Sequence, residues 1–383
     1  MRFALISGSY RLGFSYQENI WAEQLAARGH QVRVFAPGRR DDAPKRVAAG
    51  YEEARVATLT LPRNIFLSRG LAAAVRRFAP ERILWFGPPQ LFGRSIAEDP
   101  VLARVPLIAF MGQNRQMHAF DWRDRDAPAR DRALALAYQW VRAPEVIAAC
   151  RRAQLIVANT PETPELIAAM LPAPERLAAL AKMRPTPLGF DPATFGDAPE
   201  QRRGPDGEVV AIVTSRFAPE KEAAIALCLQ GLSRAMAQDA RLRALVVGLD
   251  DGPISRRVRF HFGDDPRFTL APFADRRALA GHFHHADVAV FARPSISAQE
   301  ALGTGLYALL ADDGAMDWLL AGPDTGALFA KDDARALADA LLKAADRLAD
   351  EPPEARSRRA AKARRLGYDR LIDAVLADLD GAC

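Results

Sequence analysis

Two basic residues, Arg216 and Lys221 in SRFAPEK, follow an apolar run (VVAIVTS) and precede a long helical pattern (EAAIALCLQGLSRAM). A strand that feeds a helix N-terminus already turns free N–H groups and a positive dipole end toward an anion. Arg216 and Lys221 add two full charges at the same mouth, and arginine grips phosphate oxygens in a fork. The chemistry this arrangement suits is the holding of a diphosphate without a metal. Taken alone, the pair reads as surface cations beside Glu220 and Glu222. The stretch VAVFARPSISAQEALGTG shifts that balance. Here a strand ends at Pro294, a short helix starts after Ser297 and carries Glu300, and a turn of Gly303, Thr304 and Gly305 leads into the next strand. Ser297 to Glu300 also fits the S-x-x-E capping box, and spacing alone does not separate a capping glutamate from a ligand-binding one.

Other reactive groupings are weaker. His282, His284 and His285 form HxHH, a metal pattern on paper, but they close the helical segment ADRRALAGHFHH, where positive charge suits the dipole. Asp124 and Asp126 make a DxD in a charged loop and read as solvated. The same loop, QNRQMHAFDWR, holds Gln113, Asn114 and His118 just past the strand PLIAFMG.

These residues need a parallel α/β frame, and the chain supplies one. FALISG, QVRVFAP, RILWFGP, PLIAFMG and QLIVANT read as strands in the first half, and VVAIVTS, ALVVGLD, FTLAPF, VAVFARP and YALLADD in the second. Between the first two strands, Ile20, Trp21, Leu25 and Ala26 share one helical face, and Gly29 ends the helix. The run Arg184 to Glu208 is rich in proline, glycine and charge, and the domain boundary is expected near Phe195. This gives a first domain over 1–195, a second over 196–366, and a last amphipathic helix over 367–383 that crosses back to the first.

At 383 residues the length suits two such domains. No stretch is apolar for long enough to span a bilayer, and the apolar N-terminal run is too short for a signal peptide. Cys150, Cys228 and Cys383 are odd in number and lack CxxC spacing, which points to a reducing compartment, the cytoplasm by default. The net charge of +5 concentrates in the run Ala355 to Arg365, which carries Arg356, Arg358, Arg359, Lys362, Arg364 and Arg365. It reads first as a solvated helix face and second as a contact for anionic lipid at the inner face of the membrane. Nucleic acid is not expected, because no aromatic residues interleave with the basic ones.

With ALVVGLDDG and PTPLGFDPATF, these segments resemble the family 4 retaining glycosyltransferases of GT-B fold, over nearly the whole chain and most specifically in its second half. The resemblance implies an α/β chain of two Rossmann-like doubly wound domains facing a central cleft. The family's GR-x-x-x-x-K segment, which binds the donor diphosphate, falls on Arg216 and Lys221, with Ser215 in place of the glycine. Its ribose-binding glutamate before A-x-x-x-G falls on Glu300. Gly13, the helix with Gln17 and Glu18, and RGHQVRVF look like its first loop and helix. Two positions depart from it: Ala292 stands where a second glutamate touches the donor sugar, and Gly112 where a histidine follows the strand. The expected donor contacts are Gly13, Arg216, Lys221, Phe273, Ser295, Ser297, Glu300 and Thr304. The expected acceptor contacts are Gln17, Gln113, Asn114 and His118, with His118, Arg216 and Lys221 as candidate catalytic residues. The implied reaction moves a sugar from a UDP- or GDP-linked donor to a glycan, glycolipid or small-molecule acceptor, with no metal or other cofactor.

Rival readings remain. A dinucleotide-dependent oxidoreductase would want G-x-G-x-x-G after the first strand, but Gly8 and Gly13 have no glycine between them. A nucleotide-sugar epimerase of the same fold would act without an acceptor, and a degenerate subunit would bind nucleotide without turnover.

Overall fold

A computed structural model describes residues 1–13, 16–61, 65–112, 129–196 and 207–382. The chain forms two compact units, Met1–Pro187 with Leu371–Cys383, and Leu188–Arg370. Residues 188–195 fall in the second unit, ahead of the boundary expected near Phe195, because Phe190 and Phe195 are fully buried in the second core.

The strands of the first unit are β1 (Arg2–Ser7), β2 (Gln31–Gly38), β3 (Lys45–Arg46), β4 (Glu52–Ala57), β5 (Leu59–Leu61), β6 (Ile65–Leu67), β7 (Arg82–Phe86), β8 (Leu107–Met111), β9 (Leu155–Ala158) and β10 (Met183–Pro185). Among the described residues, eight of them form one sheet in the order β10-β9-β8-β7-β1-β2-β4-β3, and β5 pairs with β6 apart from it. All neighbours in the large sheet are parallel except β3 and β4. Central strands such as LIAFM and LIVA are buried on both faces, as apolar runs in parallel sheets are.

The second unit repeats the scheme with β11 (Val209–Thr214), β12 (Leu242–Leu249), β13 (Phe268–Pro272), β14 (Val288–Phe291), β15 (Tyr307–Asp312) and β16 (Gly326–Ala330). Their order is β13-β12-β11-β14-β15-β16, all parallel. The last helix, Tyr368–Ala382, starts in the second unit and ends in the first. There it buries Ile372, Val375 and Leu379, and its acids Asp373, Asp378 and Asp380 pair with Arg28, Arg184 and Arg82.

The basic run fits the solvated-face expectation only in part. Arg356 is 3% exposed and donates to the carbonyls of Phe283 (2.7 Å), Ala286 (2.9 Å), Thr304 (3.0 Å) and His284 (3.4 Å). Arg359 is buried too, on the Gly305 carbonyl at 2.7 Å and on Glu351. Lys362 pairs with Asp324, Arg364 with Asp369, and Arg365 donates to the carbonyls of Trp318 and Leu319. Arg356 and Arg359 are thus committed inside the unit, while Arg358, Lys362 and Arg365 stay exposed, so only part of the run is a solvated face. Among the described residues, no helix is long and apolar enough to cross a membrane.

Replacing Arg356 with methionine would keep much of the bulk and leave buried carbonyls without donors, each worth about 1–3 kcal/mol. The urea midpoint of Arg356→Met should fall sharply. A midpoint within error of the parent would mean that water replaces the guanidinium without cost.

Candidate functional site

In the second sheet the chain runs from β11 outward to β12 and β13, then returns to β14 on the other side of β11. The crevice outside the carboxyl ends at such a reversal is where open α/β sheets bind ligands. Arg216 lies just past β11, and Arg293 lies just past β14. Between Arg216 and Lys221 the buried Phe217 ties the loop to the core, and Pro219 opens the turn Pro219–Lys221. Ser215 N donates to Val247 O at 3.1 Å, Ala218 N to Arg216 O at 2.9 Å, and Lys221 N to Ala218 O at 2.9 Å. No side chain caps the helix Glu222–Met236 that follows.

Arg293 donates to the Glu220 carbonyl at 3.2 Å, which brings it to the same loop. Burial, then the charges of Arg216 and Arg293, pull the Lys221 pKa below the usual lysine range, with Glu220 opposing. Among the described residues, no carboxylate forms an ion pair with any of the three cations. Cations held this close disfavour one another, and a bound polyanion would relieve them.

Gly248 keeps this loop in place. Its φ is +114°, and a β-carbon there would lie 1.9 Å from the carbonyl oxygen of Ser215. The register of β12 against β13 shifts at this point, between Val247 and Leu249. On the same rim, Phe273 follows β13, donates its N–H to Leu249 O at 3.2 Å and stays 58% exposed.

Glu300 lies in the helix Ile296–Gly303, only 2% exposed. The N-cap is Ser295, whose hydroxyl accepts from Ser297 N at 3.3 Å. The helix therefore starts earlier than expected, and Ser297 lies inside it. The Ser297–Glu300 capping box does not form. Burial pushes the Glu300 carboxyl up to about 7; the Ser297 hydrogen bond and the Arg276 charge work against this, and Asp191 adds to it. Gly303 lets the helix sit this close to its neighbours, since a β-carbon there would come within 2.7 Å of the Phe190 ring.

Other expected residues fare differently. Thr304 is fully buried and donates its hydroxyl to Ala301 O at 2.8 Å. Gly13 has a φ of +83° and open space at its β-carbon position. Gln17 is largely buried and exchanges amide hydrogen bonds of 2.9 and 3.3 Å with Asn159, an internal partner in place of the expected acceptor. Gln113, Asn114 and His118 lie outside the described residues, as do Asp124 and Asp126. His282 and His284 close the helix Arg276–His284, and among the described residues no group of three His, Cys, Asp or Glu is placed to hold a metal.

The sequence reading missed several parts. Arg293 follows β14 as Arg216 follows β11, a signal that was available once the two strands were seen as neighbours. Asp191 caps the helix Pro192–Phe195, accepting from Ala193 N at 3.2 Å and Thr194 Oγ1 at 2.7 Å, as the Asp-Pro pair in GFDPATF announces. Glu18, buried, accepts from the hydroxyls of Ser7 (2.9 Å) and Ser9 (3.0 Å) and holds the turn after β1.

Gly248→Ala should cost more than about 1 kcal/mol, because alanine strains at this φ. The displaced Ser215 carbonyl should also weaken binding of inorganic pyrophosphate, read by calorimetry below the melting range. Unchanged pyrophosphate affinity in the folded variant would separate Arg216 from Gly248.

Residues 208–347 match the family described as Glycosyl transferases group 1. A comparison with curated proteins gives no match. Among solved structures, the chain is similar to sucrose-phosphate synthase from Thermosynechococcus elongatus (TM-score 0.69, 18% identity, 100% of both chains). It is also similar to Anabaena HepE, solved in complex with UDP-glucose (TM-score 0.66, 15% identity, 100% of both chains). A third is the UDP-forming α,α-trehalose-phosphate synthase from Burkholderia vietnamiensis (TM-score 0.65, 13% identity, 100% of this chain and 98% of that one). Residues 208–347 thus match the group 1 glycosyl transferase family, and the whole chain shares the GT-B fold of these solved structures.

Proposed function

We propose that this chain is a retaining glycosyltransferase that moves a sugar from a UDP- or GDP-linked donor to a glycan, glycolipid or small-molecule acceptor, without a metal. The observation that carries this reading is the gathering of Arg216, Lys221 and Arg293, unpaired with any described carboxylate, at the strand reversal of the segment that matches the group 1 glycosyl transferases. In this reading the cations hold the donor diphosphate, the exposed Phe273 ring takes a face of the base, and Glu300 accepts the ribose hydroxyls. HepE, a neighbour in fold, was solved with UDP-glucose, which makes a uridine nucleotide the first donor to test.

The chemistry asked of these residues is electrostatic. As the bond from the sugar to the diphosphate breaks, charge grows on the leaving phosphate, and Arg216 and Lys221 stand ready to stabilise it. Front-face attack retains the anomeric configuration, and the leaving phosphate oxygen can take the acceptor's proton. No strong protein base is then required, which fits Gly112 in place of the family's histidine. The acceptor is assigned to the loop with Gln113, Asn114 and His118. The setting is the cytoplasm, in keeping with the free, buried Cys150 and Cys228. Any contact with anionic lipid would use the exposed cations of the basic run, Arg358, Lys362 and Arg365.

UDP or GDP should raise the melting temperature, and excess EDTA should leave that shift intact; loss of the shift on chelation would sink the metal-free account. Arg216→Ala and Lys221→Ala should each weaken nucleotide binding about 10- to 100-fold, as the loss of a charge-assisted bond of roughly 1.5–3 kcal/mol implies, with little change in folding. Normal binding by both variants would place the diphosphate elsewhere. Nucleotide release from UDP-glucose or GDP-mannose that needs no acceptor would favour an epimerase, and tight binding with no turnover a degenerate subunit.

Glu300→Gln keeps shape and hydrogen bonding but loses the charged acceptor. It should leave the melting temperature of the free protein nearly unchanged while raising the donor dissociation constant several-fold at pH 8. A variant that binds donor like the parent would remove Glu300 from the site.

A further inference from the structure

A cavity of about 350 Å³ lies in the first unit, where the helix Ala143–Arg152 runs into β9 and the helix Arg176–Ala181 into β10. It sits at the amino ends of these strands, whereas open parallel sheets take their main ligands at the carboxyl ends. Four cations line it, Arg151, Arg152, Lys182 and Arg184, together with Gln154 and Leu155, and no acid among the described residues does. Two of the cations already have counter-charges. Arg151 grips both oxygens of Glu175 at 2.7 and 2.8 Å, and Arg184 lies 3.4 Å from the Asp378 carboxylate. Arg152 and Lys182 meet no carboxylate among the described residues. Arg152 donates through Nη2 to the carbonyls of Leu102 and Val105, while its Nε, shielded from water, has no acceptor. Lys182 makes one long contact, 3.4 Å to the Cys150 carbonyl. Gln154 spends its amide oxygen on Leu107 N at 2.8 Å, and its amide N–H groups reach no acceptor among the described residues.

Helix capping explains part of this cluster. Cations suit the negative pole where the helix Ala143–Arg152 ends, and a single donor on the Cys150 carbonyl serves that end. Capping does not explain a second cation drawn partly out of water with no counter-charge, which is costly. Burial alone pulls the Arg152 pKa down, with no carboxylate to hold it up. We propose that this cavity is a second anion site, separate from the cluster at Arg216, which takes the phosphate monoester of a small soluble molecule. Two cations without carboxylates match the charge of close to −2 that a monoester carries at neutral pH. Guanidinium forks fit phosphate oxygens, and the Gln154 amide adds neutral donors. The volume falls within the range of small-molecule sites, which begins at about 300 Å³, so there is room for more than the phosphate itself. The site belongs wholly to the first unit and does not depend on which donor the second unit binds.

The test is calorimetry of the full chain in saturating UDP, which keeps the Arg216 cluster occupied, with inorganic phosphate and glycerol phosphate as probes. One equivalent of glycerol phosphate should bind, and added salt should weaken it. Lys182→Glu should weaken that binding about tenfold or more, the scale of a lost charge-assisted bond, while leaving UDP affinity unchanged. Lys182→Met keeps the stem of the side chain and should give a smaller loss in the same direction, which preserves the test if the charge reversal fails to fold. Arg152 is left alone, because its carbonyl contacts tie it to the fold. The inference is overturned if neither probe binds at concentrations on the order of 10 mM. It is equally overturned if binding vanishes in saturating UDP, or if both Lys182 variants bind like the parent. Phosphatidylglycerol vesicles distinguish a lipid headgroup from a free ligand. Capture by vesicles that Lys182→Glu abolishes, with no binding of either soluble probe, would give the cavity to a membrane and refute the assignment to a soluble molecule.

Discussion

One guanidinium fixes the frame of the candidate site. Arg356 meets carbonyls at the ends of two helices, Arg276–His284 through Phe283, His284 and Ala286, and Ile296–Gly303 through Thr304. The last carbonyls of a helix have no partner within it, and a buried helix end must find donors elsewhere. A planar group with five N–H donors can serve two such ends at once, and its charge suits the negative pole of both. Burial brings its pKa down to about 10, so it remains charged at neutral pH. The two helices tied together here are the ones that start with Arg276 and carry Glu300. A structural arginine far along the sequence therefore ties these two helices together at their C-terminal ends.

The second unit handles charge in two contrasting ways. In the helix Ala355–Ala363 and the turn after it, cations are satisfied by carbonyls and carboxylates, and the result is rigidity. At the carboxyl ends of β11 and β14 they meet no carboxylate partner among the described residues, and burial, then the neighbouring cations, lower the Lys221 pKa. Such an arrangement is poor for stability and good for capturing a polyanion, because the repulsion disappears when the ligand arrives. Glu300 shows the same logic with opposite sign, a carboxyl buried at the expense of its charge.

Strands buried on both faces were the most legible in the sequence, since apolar runs such as VAVF and YALLAD leave little ambiguity. β3 and β4, at and beside one edge of the first sheet, were not. In β4, EEARVA places only Ala54 and Val56 inward, and Arg33 and Glu52 pair across its face, so composition resembles a charged loop. Arg216, Lys221 and Glu300 could be picked out because each follows a strand and opens or occupies a helix. The pairing of Asp191 with Arg276 could not, since they are 85 residues apart and meet only through the fold. The buried part of the basic run, Arg356 and Arg359, was hidden for a related reason. A count of arginines does not say which ones face inward, and only the positions of helix ends in three dimensions reveal a demand for buried donors.

The path of the final helix bears on how the protein is made. The first unit owns residues at both extremes of the chain, with Arg28 meeting Asp373 and Arg82 meeting Asp380 across 345 and 298 positions. Those exposed pairs contribute little by themselves, and the burial of Ile372, Val375 and Leu379 is what closes the unit. During synthesis the first sheet must wait, its apolar groove uncovered, until the whole second unit has left the ribosome. Domains that fold as they emerge avoid such exposure. Here the N-terminal unit is completed only once residues 371–382 have been made, after the whole of the second unit.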